Sequence, residues 1–338
     1  MKIISTYDFH KKLAKNIEPA MSYKGGDILN WQEDAKENLS ELLGLDKIKK
    51  CADNNFNIEY ETSENGVKEI RFTFQSEEGY NIPCHMLIPE NVEKPPFMIC
   101  LQGHSKGMHV SLGVEKHIYD RKSIENDSDF ARRAVKEGFA AVAMEQRNFG
   151  ELSYDLDMGW LPPCTYSGLS ALTLGRTTVG ERVWDVMRLI DLLFDKFSDK
   201  FDFDNLGCMG NSGGGTATAY AGALDERIKI SVTSCAMCAF DASINAVPHC
   251  VCNYIPKIAE YFEMGDLITM TYPRKFVQVS GIEDKDFPIE GCRRVFNEGK
   301  KVYFENGKSD KCIMVEGNGG HRFYADSTWP HIHKLTGK

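Results

Sequence analysis

The sequence predicts an α/β fold in which a mainly parallel central sheet is covered by helices on both faces, preceded by a helical extension. Three observations carry that expectation. From Phe97 onward short apolar runs alternate with helical patterns, the signature of strands joined by crossover helices. One of those runs passes through Gly210-Asn211-Ser212-Gly213-Gly214 straight into a helix of small residues. Two later runs each end in a glycine-containing loop, one acidic and one carrying a histidine.

Taken in order, residues 1 to about 50 are polar and helix-like. Trp31, Ala35, Leu39, Leu42 and Leu43 are spaced for one apolar face. This extension, 1–50, reads as a cap packed on the sheet or as a dimer contact, so a homo-oligomer stays open. Residues 51–338 read as the catalytic domain. From Ile58 to Ile88 alternating segments such as Ile70-Arg71-Phe72-Thr73-Phe74 predict antiparallel strands, with a turn at Glu78-Gly79. The buried strands that follow are expected at Phe97 to Leu101, Phe139 to Met144, Leu206 to Met209, Ile228 to Thr233, Phe276 to Ser280 and Cys312 to Val315. Phe130, Ala134 and Val135 share one helical face, and Val183, Val186, Met187, Ile190, Leu193 and Phe194 form a longer one. Between these two helices Glu145 to Val179 reads as a long irregular stretch, a candidate wall for a substrate pocket through Arg147, Trp160 and Tyr166. An Arg147 salt bridge that holds the loop is the competing reading.

Composition restricts the partners. A formal charge of -9 with no basic stripe argues against nucleic acid or an anionic membrane. Met1 to Asp8 contains no apolar stretch of signal-peptide length, and no run of about 18 apolar residues follows, so a cytoplasmic protein is expected. The 11 cysteines, irregularly spaced, fit free thiols.

The chemistry concentrates on three loops. Gly-x-Ser-x-Gly between a strand and a helix is the pattern of a nucleophile elbow, in which a strained turn exposes the serine and the helix N-terminus offers N–H groups to an oxyanion. Such a serine requires an acid after a later strand and a histidine after the last. Gly281-Ile282-Glu283-Asp284-Lys285-Asp286 and Gly319-Gly320-His321 stand in that order. Spacing alone does not choose among Glu283, Asp284 and Asp286.

With these residues the chain resembles the α/β-hydrolase superfamily, especially its acetyl xylan esterase-like and dienelactone hydrolase-like bacterial members, from about residue 28 onward. Asn30-Trp31-Gln32 through Gly44-Leu45 resembles that group's helical N-terminal segment, and Pro95 to His104 its oxyanion-hole strand and loop. Gln102 stands where many relatives carry His. The resemblance implies Ser212 as nucleophile, Asp284 as the acid three residues after Gly281, and His321 as base. It also implies backbone N–H groups of Gly213 and His104 as the oxyanion hole, each such donor being worth roughly 3 kcal/mol. The expected activity is serine-dependent hydrolysis of a small-molecule carboxylic ester through an acyl-enzyme, with acetylated sugars or short xylo-oligosaccharides as a substrate class. No organic cofactor is implied.

The rivals are a serine peptidase of the same fold and a non-enzymatic, metal-stabilised binding protein. The second rests on Cys235, Cys238, His249, Cys250 and Cys252, five soft ligands in a short span. Free buried thiols without metal are the expectation there.

Overall fold

The computed structural model describes residues 3–105, 107–154 and 163–337. Among the described residues nine strands form one sheet: β1 (Asn57–Glu64), β2 (Val67–Glu77), β3 (Tyr80–Pro89), β4 (Pro96–Leu101), β5 (Ala140–Met144), β6 (Asp202–Asn211), β7 (Ile230–Ser234), β8 (Lys275–Gly281) and β9 (Cys312–Gly317). Their spatial order is β1-β2-β3-β5-β4-β6-β7-β8-β9. β1, β2 and β3 are antiparallel, and β3 joins β5 antiparallel. From β5 to β9 every pairing is parallel. The chain reverses its direction of travel across the sheet around β4, and the ends of the strands beside that reversal are where such sheets leave a crevice.

Alternation along β4 sorts the two faces. Phe97, Ile99 and Leu101 enter the larger core with the helices Thr178–Phe197 and Gly213–Leu224. Met98 and Cys100 enter the smaller one, against Phe130, Ala134, Trp329 and Ile332. The expected Glu78-Gly79 turn joins β2 to β3, and Gly79 takes φ 78°.

In the N-terminal segment the helix Ile28–Leu43 is capped by Asp27, whose Oδ1 accepts the N–H groups of Leu29 and Asn30. It buries Ala35, Leu39 and Leu43 and lies on the helices Thr178–Phe197 and Met264–Thr271, so it covers the helical layer rather than the sheet. Gln32, also buried, donates to the carbonyls of Thr269, Met270 and Tyr272 at the end of the second of these.

The stretch expected to be irregular after β5 is partly ordered. A 3-10 turn covers Gly150–Leu152 and an α-helix covers Pro163–Thr173. Pro163 opens that helix at the position where its missing N–H is harmless and its fixed φ is helical, a start signal that reads as a breaker when taken without its context.

Candidate active site

Ser212 sits between β6 and the helix Gly213–Leu224 with φ 54° and ψ -123°, a backbone that a serine adopts only under constraint. Its N–H donates to Ser234 O at 2.8 Å, and the Asn211 side chain accepts from Ser234 Oγ at 2.7 Å, so the turn is tied to the end of β7. The flanking glycines have a steric origin. A Cβ on Gly214 would lie 2.1 Å from Leu101 O, and one on Gly210 would lie 2.4 Å from Gly214 C. Gly213 opens the helix, so its N–H has no intrahelical acceptor.

His321 and Asp284 come from the loops after β9 and β8. These loops are joined by Ile282 N–H to Gly317 O and Glu283 N–H to Gly319 O, at 3.0 and 2.8 Å. A side chain on Gly281 would collide with Gly320 O at 2.2 Å, so the close approach of the two loops requires that glycine. Asp284 is the acid whose carboxylate meets His321, with Oδ2 2.8 Å from Nδ1. Its Oδ1 accepts the N–H groups of Asp286 and Phe287. Burial opposes ionisation of Asp284, but the His321 contact and these two donors outweigh it and hold the carboxyl below its usual range. A carboxylate can only accept, so Nδ1 carries a proton, and in the neutral ring Nε2 is then the nitrogen with the lone pair. The Phe287 ring stacks on the imidazole with centroids 5.8 Å apart.

Ser212, His321, His104 and Arg322 line one cleft of about 420 Å³, together with His249 and Asn253. A larger hollow of about 640 Å³ lies elsewhere, lined by residues such as Tyr23, Phe262 and Arg294, and reaches neither Ser212 nor His321. Cys235, beside Asp284 and His321, has its thiol pushed up to about 12 by burial and by the Asp284 charge, which leaves it protonated.

Gln102 and Glu145 hold the His104 loop. Gln102 Nε2 donates to Glu145 Oε1 at 2.7 Å, and the Glu145 carboxyl also accepts the N–H groups of Met108 and Glu151. Glu145 thus links the loop after β4 to the loop after β5, a role that sequence reasoning missed. The one available signal was an acid at the C-terminal end of a fully apolar strand.

Arg147 does not line the Ser212 cleft. Its guanidinium forms a two-point pair with buried Asp185, at 2.8 Å for both contacts, and stacks over Tyr80. These are the contacts that the competing salt-bridge reading expects. Tyr166, on the helix Pro163–Thr173, is half exposed and packs edge-on against Tyr154, outside that cleft. Trp160 lies outside the described residues. Among the described residues no helix is long and apolar enough to cross a membrane.

A family model described as the abhydrolase family matches residues 1–174, just over half of the 338 residues. A Bacillus subtilis (strain 168) protein, YtaP, provisionally named a hydrolase, is 24% identical over 264 residues, which is 77% of this chain and 84% of that protein. A Bacteroides fragilis NCTC 9343 structure, provisionally described as an acetyl xylan esterase, superposes with a TM-score of 0.75 at 20% identity, over 94% of this chain and 83% of that one. A glucuronoyl esterase from Solibacter usitatus gives a TM-score of 0.67 at 13% identity, over 95% and 98%. At these identities the structural likeness is one of fold, and that fold is the α/β-hydrolase fold.

Proposed function

This chain belongs to the abhydrolase family, and from that premise we propose that it is a serine-dependent carboxylic ester hydrolase with Ser212, His321 and Asp284 as its triad. The observation that carries the reading is the pairing of a strained, cleft-lining Ser212 with a His321 whose tautomer is set by Asp284 at 2.8 Å.

Ser212 Oγ attacks the ester carbonyl while His321 Nε2 takes its proton. The oxyanion is held by the N–H of Gly213, free at the helix start, and by the N–H of His104. His321 then protonates the leaving alcohol, and water repeats the sequence in reverse to release the acid. Asp284 stays ionised throughout and stabilises the imidazolium.

For the substrate we favour a short acyl ester on a carbohydrate, an acetylated sugar or xylo-oligosaccharide. The cleft wall supports this class, because Ser105, Ser123, Asn126, Ser128 and Asn253 offer hydrogen-bonding groups suited to sugar hydroxyls and little apolar depth for a long acyl chain. Of the two carbohydrate esterases that share the fold, the one described as an acetyl xylan esterase is of this class.

The test is intact-mass labelling with a fluorophosphonate together with turnover of acetyl, butyryl and octanoyl esters, for the wild type and Ser212→Ala. One adduct and acetyl turnover, both lost in the variant, are expected. Folded wild-type protein with neither would overturn the reading.

A further inference from the structure

Four potential metal ligands from three segments remote in sequence converge beside the proposed oxyanion loop. The ligand atoms of His104, Cys164, Cys250 and Cys252 all lie within 4.8 Å of one another. His104 Nε2 and Cys252 Sγ are 3.1 Å apart. Cys164 and Cys252 are buried, Cys250 is half-buried, and all three are free thiols. They arrive on separate elements: His104 follows β4, Cys164 lies in the first turn of the helix Pro163–Thr173, and Cys250 and Cys252 flank the start of a 3-10 turn at Val251–Asn253. The set differs from the one suggested by short spacing. Cys235 Sγ donates to Arg322 O, Cys238 Sγ to Pro288 O, and His249 Nε2 meets Ser243 Oγ.

A second observation concerns charge. Arg182 is fully buried and has no carboxylate partner among the described residues. Its guanidinium donates to Arg147 O and lies over the Phe149 ring, and its Nη2 is 3.7 Å from Cys164 Sγ. A buried cation without an opposing charge is costly. Besides the Phe149 ring, its guanidinium approaches the Cys164 thiol, and the thiol charges that bear on it are those of Cys252, Cys164 and Cys250.

We propose that His104, Cys164, Cys250 and Cys252 form a tetrahedral site for one zinc ion. Three thiolates and a neutral imidazole around a divalent cation carry a net charge of -1, which Arg182 balances. Zinc–sulfur and zinc–nitrogen bonds of about 2.3 and 2.0 Å place tetrahedral ligand atoms about 3.5–3.8 Å apart, a spacing these side chains reach with small rotations. Four protein ligands close the coordination sphere, so the ion is structural and leaves no position for substrate. Binding releases the three thiol protons to solvent and involves no redox change. The ion ties the His104 loop to two other segments, and the His104 ring it holds lies where a Cβ on Gly213 would approach Cε1 to 3.0 Å. The site therefore fixes the loop against the elbow.

Metal binding is read independently of ester turnover. The reduced full-length chain is loaded with zinc, passed through a desalting column and weighed by native mass spectrometry. The same chain, stripped and titrated with cobalt(II), is followed by visible absorption. The expected results are one zinc per chain and the intense ligand-field and sulfur-to-cobalt bands of a tetrahedral, thiolate-rich site. Cys164→Ser and His104→Ala should each weaken cobalt binding by about tenfold or more, with circular dichroism as the fold control; His104 is exposed. No retained zinc and no cobalt spectrum in folded, reduced wild type would overturn the proposal. So would one cobalt equivalent bound undiminished by both variants, or a disulfide among the three cysteines in chain kept under reductant. Metal binding without ester turnover leaves the site standing and sinks the esterase reading; turnover without metal does the reverse.

Discussion

Asp284 divides its two oxygens between different tasks: Oδ2 lies 2.8 Å from His321 Nδ1, while Oδ1 accepts the backbone N–H groups of Asp286 and Phe287. The carboxylate is therefore oriented by its own loop before it orients the imidazole. Replacing it with Asn keeps the shape but allows an amide N–H to face Nδ1, which favours the tautomer with its proton on Nε2. Asp284→Asn should lower kcat on an acetyl ester by about 10³- to 10⁴-fold with KM little changed. Asp286→Asn should change kcat by less than about threefold, since its loop role is carried by the backbone and Asn retains the side-chain volume. Steady-state kinetics on both variants, with circular dichroism as the fold control, checks the assignment. A larger loss in Asp286→Asn would reassign the acid.

Glu145 gives a pH prediction. Its carboxyl is lifted to about 7 by burial, with the N–H groups of Met108 and Glu151 offsetting part of that effect. The folded value lies above the unfolded value of 4.5. Between these two pH values the folded chain retains a proton that the unfolded chain has released. The contribution of this group is therefore fully present below about pH 4.5, declines as pH rises, and is gone above about pH 7. Glu145→Gln cannot ionise, so its loss of stability from pH 5 to pH 8 should be smaller than the wild type's. Urea midpoints at the two pH values measure this, and equal slopes in the two proteins would refute it.

Much of this architecture was legible from one-dimensional pattern. Buried strands are continuous apolar runs, so β4 to β9 stood out, and the glycines at 210, 214 and 281 marked places where backbone must meet backbone. The order of the Ser212, Asp284 and His321 loops followed from the same runs. Contacts between distant segments were not legible. Nothing near Arg147 in sequence signals Asp185, and nothing near Cys250 signals Cys164 or His104. Choosing among Glu283, Asp284 and Asp286 needed the direction in which a loop carboxylate points, which spacing does not encode. The helix opened by Pro163 was hidden because proline signals both a break and a start.

Gly214 supplies a steric prediction. An added methyl would lie 2.1 Å from Leu101 O, a backbone atom at the end of a central strand that cannot withdraw without breaking the sheet. Gly214→Ala should cost about 3 kcal/mol or more and shift the elbow away from its active geometry. Gly307, with φ +67° and nothing within 4 Å of an added Cβ, provides the control, and Gly307→Ala should cost only about 1 kcal/mol. Thermal and chemical denaturation of the two variants compares collision with backbone preference, and equal losses would show that the collision is relieved.

Arg147 and Asp185 form the last test, one that separates a structural arginine from a substrate ligand. Both side chains are buried, and they meet through two parallel contacts of 2.8 Å. The Arg147 carbonyl meanwhile accepts from Arg182. Removing one partner strands a buried charge, so Arg147→Ala should destabilise the protein by about 3–5 kcal/mol. Arg147→Met combined with Asp185→Leu removes both charges at similar volume and should recover most of that loss, although Glu77 and Glu181, also close to Arg147, keep the recovery incomplete. At temperatures where the single variant remains folded, its KM for the ester should stay within about twofold of wild type, because the guanidinium lies outside the Ser212 cleft and removes no binding interaction. Denaturation and kinetics on the single and double variants measure both effects. A raised KM with unchanged stability would return Arg147 to the substrate.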